Sequence, residues 1–152
     1  MTEQGRLAEA IPHYERALQL QPDFAEADYN LGNTLARQGR LADAVEQFER
    51  ALQLKPDYFK ARYNLGNALA KQGELAAAIQ QFEQALQLKP DFIEAHCNLA
   101  GGLAQEGNLP AAIQQLQQAM NLATVQNQTS MAEAIRRQIE AYQLAMPPAP
   151  MR

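Results

Sequence analysis

One neighbouring pair of side chains in this 152-residue sequence has the makings of a reaction centre: His96 beside Cys97. A thiolate next to an imidazole is a nucleophile with its base, or half of a metal site. The surroundings support neither use. Adjacent residues on a helix point about 100° apart, and the other histidine, His13, lies more than two sequence repeats away. No second Cys/His cluster is present to orient the base or complete a coordination sphere. Phosphate chemistry fares no better, because the glycines of "AGGLA" at residues 100–104 fall inside a helical stretch rather than between a strand and a helix. The sequence therefore implies no catalytic residue, no metal ligand set and no cofactor, and the expectation is a protein that is not an enzyme.

Composition narrows the remaining classes. With 47% hydrophobic and 20% charged residues the chain has the balance of an ordinary soluble domain, and it contains no apolar run long enough for a membrane span. A net charge of −4 with no Lys/Arg run argues against nucleic acid and anionic membranes as partners. Cys97 is the sole cysteine, so no internal disulfide can form; this fits a reducing compartment, and with no secretory leader after Met1 the expectation is a cytoplasmic location.

The elements that would position any site repeat along the chain. "ALQLQPDFAEADYNLGN" at 17–33 returns as "ALQLKPDYFKARYNLGN" at 51–67 and "ALQLKPDFIEAHCNLAG" at 85–101, each copy 34 residues after the last. Residues 25–58 and 59–92 agree at 23 of 34 positions, which fixes the register, and 93–126 continue it more loosely. Within a copy the apolar residues fall in two stripes at helical spacing: Ala61, Leu65 and Leu69, then Leu75, Ala78, Ile79, Phe82 and Leu86. Gly39, Gly73 and Gly107 separate the stripes and can end one helix so that the next begins. Each copy is therefore a helical hairpin. Asp23, Asp57 and Asp91 follow the prolines as expected N-caps, with Glu26 and Glu94 as capping-box partners. Gly32 and Gly66, opposite Ala44 and Ala78, would let paired helices approach closely.

These residues resemble the tetratricopeptide repeat. Its signature stands complete at Leu31, Gly32, Leu35, Gly39, Ala44, Phe48, Ala51 and Pro56, and again at Leu65, Gly66, Leu69, Gly73, Ala78, Phe82, Ala85 and Pro90. The third copy departs, with Ala100 for the glycine, Leu116 for the aromatic and Thr124 for the proline. Asp28, Arg62 and His96 replace an aromatic that the family favours, and that place is expected to be solvated. The resemblance implies an all-α chain, a right-handed superhelical α-solenoid of such hairpins with a C-terminal capping helix and no β-strand. The expected organisation is a partial repeat at 1–24 (second helix only), repeats at 25–58 and 59–92, a divergent repeat at 93–126, a capping helix at 127–146 and a Pro-rich tail at 147–152. Seven helices are expected. The cap places Met131, Ala134, Ile135, Ile139 and Tyr142 on one face, and Pro12 removes one donor from the first helix. Beginning in mid-motif, the sequence reads as an excerpt of a longer array.

Function is implied by the same resemblance. In this family the first helices of successive hairpins line a concave groove, which here gives Glu26, Tyr29, Asn30, Asn33 and Arg37; Lys60, Tyr63, Asn64, Asn67 and Lys71; and Glu94, Cys97, Asn98, Gly101 and Gln105. Asn30, Asn64 and Asn98 would form a ladder of amides able to bond a peptide backbone. At Gly101 the copy loses the amide present as Asn33 and Asn67, which would leave a notch. The implied function is a protein–protein interaction scaffold that holds an extended peptide or a partner's helix, with a protein or peptide of unknown identity as partner. Two alternatives are a substrate-targeting arm of a larger enzyme, by likeness to the repeat region of O-linked N-acetylglucosamine transferase and to bacterial repeat proteins, and an assembly element that self-associates as a homo-oligomer through a bare N-terminal edge at Ile11, Tyr14 and Leu18. Co-chaperone members grip a terminal carboxylate with lysine, arginine and two asparagines. The matching places are Tyr29, Asn33, Asn64, Glu94 and Asn98, so the amides persist without the cations and acidic chaperone tails should not be selected.

Overall fold

The computed structural model describes the backbone of residues 3–146 and the side chains of residues 7–146. The "PPAPMR" tail and the first two residues lie outside that range. Eight α-helices, and no strand among the described residues, follow in order: α1 (Glu3–Leu20), α2 (Ala25–Arg37), α3 (Leu41–Leu54), α4 (Phe59–Gln72), α5 (Leu75–Leu88), α6 (Ile93–Gln105), α7 (Leu109–Val125) and α8 (Thr129–Ala145). The expected seven was a miscount, since a lone helix, three hairpins and a cap make eight. The chain divides into two compact units, the first ending at Leu88 and the second beginning at Lys89. In the first, α1 packs on α2, α2 on α3, α3 on α4 and α4 on α5. In the second, α6 packs on α7 and α7 on α8. No described helix is long and apolar enough to cross a membrane.

The turns inside the hairpins share one construction. Gly39, Gly73 and Gly107 adopt φ of 79°, 87° and 82°. The next residue's N–H then reaches back to a carbonyl in the ending helix, as in Arg40 to Leu35 at 3.0 Å and Glu74 to Leu69 at 3.0 Å. This closes the orphan carbonyls that a helix end leaves. Asn127, at φ 58°, performs the same task between α7 and α8, with Gln128 N–H bonded to Ala123 at 2.8 Å. Asparagine is the residue after glycine that best tolerates this region.

The turns between hairpins differ from expectation. The N-caps are Phe24, Tyr58 and Phe92, one residue past each aspartate, and none makes a side-chain capping bond. The aspartates instead sit in the preceding turn, where Tyr58 N–H bonds Lys55 O at 3.1 Å around Pro56-Asp57 and Phe92 N–H bonds Lys89 O at 3.2 Å around Pro90-Asp91. Proline at the second turn position fixes φ, so the turn claims the aspartate before the helix can. A first-turn side-chain cap is present at Asn108, which accepts from Ala111 N–H at 3.2 Å.

Hairpin packing rests on a ring seated over a glycine. Phe48 and Phe82 are almost wholly buried. A Cβ on Gly32 would stand 2.8 Å from the Phe48 ring, and one on Gly66 would stand 2.6 Å from Phe82. The nearest approach to each glycine is thus made by the aromatic ring. In the second unit the pair becomes Ala100 with Leu116, both fully buried in the α6–α8 core. The added methyl on α6 is matched by the smaller side chain on α7, which makes the third copy's divergence a compensated exchange. The core also holds Ile135 and Ile139 of α8, flanked by Met131, Ala132 and Tyr142; Ala134, expected on this face, is exposed.

Gly66→Ala alone should cost about 1–3 kcal/mol by overpacking, and Phe82→Leu alone should cost about 1–3 kcal/mol by leaving a cavity. Together they recreate the α6–α7 pair, so urea denaturation should show the double variant more stable than the sum of the single losses by about 1 kcal/mol or more. Additive losses would show that the two positions do not compensate.

Candidate functional site

The first helices of the two hairpins in the first unit, α2 and α4, face one cavity of about 430 Å³. Its walls include Asn33, Arg37, Asn64, Asn67 and Lys71, five of the residues that the sequence singled out. Ala36, Leu41, Phe48 and Ala68 complete it, and of these the sequence reading named only Phe48, as part of the repeat signature. Their signal was present, because the face that packs against a neighbouring helix continues as the cavity floor.

In the first unit the amide of Asn64 meets that of Asn33 rather than that of Asn30. Asn64 Nδ2 donates to Asn33 Oδ1 at 2.7 Å and to the Tyr29 hydroxyl at 3.3 Å. Asn64 thus reaches α2 one turn away from Asn30, which is exposed and whose backbone carbonyl accepts from Thr34 Oγ1 at 2.9 Å. Tyr29 is held on three sides. Its ring lies 4.8 Å from that of Tyr58 and 6.1 Å from that of Phe48, centroid to centroid, and its hydroxyl meets Asn64. The Tyr58 hydroxyl is pushed above its ordinary range by burial first, then by Tyr29 and Glu26. Tyr63 packs at 6.0 Å on Phe82, and Lys60 is exposed on α4 outside the cavity lining.

Glu94, Asn98 and Gly101 belong to α6 in the second unit, Glu94 exposed and the other two half-buried. The space where Gly101 would carry a Cβ is open. His96 is engaged at both ring nitrogens, Nε2 with Pro90 O at 2.9 Å and Nδ1 with Gln115 Oε1 at 2.8 Å. Burial and then Glu94 push the Cys97 thiol up, which disfavours the thiolate that a nucleophile needs. Among the described residues no group of three or more His, Cys, Asp or Glu is placed to hold a metal.

The position shared by Asp28, Arg62 and His96 is not solvated as expected. Arg62 donates to Pro56 O at 2.9 Å and to Gln84 Oε1 at 2.5 Å, and His96 repeats the pattern with Pro90 and Gln115. This seat requires a donor facing a turn carbonyl. Asp28, fully buried, has none to give while ionised, and neither of its oxygens has a hydrogen-bond partner. Arg50 Nε lies 3.5 Å from Oδ1. Desolvation raises the Asp28 pKa above 3.8, and Arg50 only partly opposes the rise.

The face of α1 also sorts differently. Ile11, Tyr14 and Leu18 are half-buried against the cluster built on Leu31, Leu35, Ala44 and Phe48, so this edge is covered in part and open in part. By the 34-residue period Ile11 and Leu18 correspond to Val45 and Leu52, which are also half-buried. Tyr14 corresponds to Phe48 and Phe82, yet it does not reach their burial.

Hairpins that begin every 34 residues, each closed by a left-handed glycine and locked by a large side chain on a small one, define a helical-repeat protein whose first helices in the first unit offer a lined cavity. The sequence profile described as TPR repeat matches residues 1–39, 32–73 and 66–100. The chain belongs to the tetratricopeptide repeat family. Comparison with curated protein sequences gives no match. Among solved structures, a crystal structure of MamA is similar at 20% identity and TM-score 0.74, covering 95% of this chain and 96% of that one. MamA AMB-1 is similar at 28% identity and TM-score 0.71, covering 79% and 66%. The TPR2B domain of yeast Sti1, in a structure titled as its complex with pHsp70, is similar at 20% identity and TM-score 0.75, covering 80% and 98%.

Asp28 sets a pH dependence of known sign. Because its native pKa lies above the unfolded value of 3.8, its contribution to stability is fully present below that value and is lost as pH rises through the native one. Asp28→Asn keeps the shape and adds a donor, so it should raise stability at pH 7 by about 1 kcal/mol or more and flatten the fall in stability above pH 3.8. Denaturation at pH 3 to 7 checks both; a less stable variant at pH 7 would mean that the ion pair with Arg50 outweighs the desolvation.

Proposed function

We propose that the chain is a protein-interaction module that holds an extended peptide or a partner's helix against α2 and α4. The observation carrying this reading is the amide pair in the cavity wall. With Asn64 donating to Asn33, one amide NH2 group, that of Asn33, and one amide oxygen, that of Asn64, keep capacity for further bonds. A peptide group requires one acceptor and one donor opposite it, and this pair offers both whichever way it is turned. Its anchorage to Tyr29 keeps the pair in place before a ligand arrives, which lowers the ordering cost of binding. The cavity's apolar floor at Leu41, Phe48 and Ala68 adds surface for a side chain. Non-catalytic action fits the tied ring of His96 and the raised thiol of Cys97.

One observation favours self-association as a second reading. Tyr14 occupies the seat where Phe48 and Phe82 are buried but remains half-buried, so a helix from a second copy would gain by covering it. Ile11 and Leu18 support that face from the side of α2.

For the first reading, a partner captured with the full chain should bind the Asn33→Ala/Asn64→Ala variant about tenfold more weakly, as expected for two hydrogen bonds of about 0.5–1.5 kcal/mol each. Circular dichroism must show unchanged helicity, and undiminished affinity would remove the amides from the interface. For the second, sedimentation should show a concentration-dependent mass that Tyr14→Glu abolishes. A parent chain monomeric at high concentration would end that reading.

A further inference from the structure

The second helices of the first unit repeat one buried triad, and α1 carries it without its cover. Ala10, Tyr14 and Ala17 stand one period before Ala44, Phe48 and Ala51 of α3, and two periods before Ala78, Phe82 and Ala85 of α5. The triads of α3 and α5 are at most 2% exposed, because the first helix of the same hairpin lies on them. All three residues of the α1 triad are only half-buried. α2 packs on α1 as α4 packs on α3, at the junction between hairpins, but among the described residues no helix stands to α1 as α2 stands to α3. The chain itself shows what such a face takes. The aromatic rings at this place lie over a glycine, Phe48 over Gly32 and Phe82 over Gly66, whereas the leucine at the same place, Leu116, shares its core with Ala100. Each glycine follows a buried leucine, Leu31 or Leu65, and has Leu35 or Leu69 three residues on.

We infer that the Tyr14 face of α1 docks a helix of a different protein, one that presents a glycine to the ring, with a leucine just before that glycine and another three residues after it. The inference rests on the part of the self-association reading that finds Tyr14 open, and it changes the occupant. A second copy has no such helix to spare, since its Gly32 and Gly66 already lie under its own Phe48 and Phe82, and supplying the contact would open one of its hairpins. The ring at this face is also of the kind that exchange requires. Phenylalanine stands where the cover is permanent. A tyrosine fills the same apolar seat with its ring, while its hydroxyl keeps a bond to water whenever the face is bare.

The probe is the α4 wording as a separate peptide, residues 59–72, acetylated and amidated, added to the full ¹⁵N-labelled chain. It should move the backbone amide signals of Ala10, Tyr14 and Ala17 with a Kd of about 1 mM or tighter, the peptide's helix forming as it binds. Gly66→Leu in the peptide strengthens the helix but drives a side chain into the ring, so it should bind at least about tenfold more weakly. In the chain, Tyr14→Phe should retain binding and Tyr14→Glu should abolish it, with helicity checked by circular dichroism. Should Tyr14→Glu lose helicity, the Gly66→Leu peptide on the parent chain decides. Shifts confined to Asn33 and Asn64 would put the peptide in the α2–α4 cavity and overturn the inference, as would equal binding of the Gly66→Leu peptide or an absence of shifts in α1. If the chain alone gains mass with concentration through Tyr14 and excess peptide leaves that mass unchanged, self-association stands and the glycine-bearing occupant falls. A monomeric chain whose α1 signals answer to the parent peptide and not to Gly66→Leu supports the inference and ends self-association.

Discussion

The first unit depends on the separation of two helices in a hairpin, and that separation is set by an aromatic ring resting where a side chain is missing. Gly32 under Phe48 and Gly66 under Phe82 bring the helix axes as close as a ring's thickness permits. A methyl group in either place would overlap ring carbons, and the buried rings have little freedom to move. Phe48 also faces the cavity and Tyr29, so the same contact sets the depth of the site and the position of the tyrosine that anchors Asn64. Core and site are two sides of one ring.

The repeat made much of the fold legible. The period located the hairpins, and the apolar stripes gave the buried faces, because Ala61 and Leu65 or Ala78 and Phe82 can only meet at helical spacing. Gly39, Gly73 and Gly107 were readable as left-handed turns for the same reason, since the position requires a backbone that few residues accept. The N-caps were misplaced because aspartate suits both a cap and a turn, and the proline before it decides between them through a bond that only the folded chain displays.

The site was harder to read. Outward-facing places on α2 and α4 followed from the family pattern, and five of them do line the cavity. Which amides meet was not deducible, because Asn64 pairs with Asn33, 31 residues away, rather than with the residue one full period back. Asp28 was misjudged for a different reason. A charged residue at a variable place reads as solvated, and nothing in one sequence reveals that its neighbours close over it.

The seat of Asp28 has a further consequence, for the order in which the first unit comes apart. In the second repeat, Arg62 ties α4 to the Pro56 carbonyl and to Gln84 on α5, so turn and both helices share a side-chain staple. The corresponding residue in the first repeat is an acceptor, and no such staple joins α2 to its preceding turn through Asp28. Local opening takes the path with the fewest bonds to break. Amide protons near the start of α2 should therefore be released to solvent sooner than their counterparts in α4, which would give two hairpins of nearly identical wording a direction of unravelling.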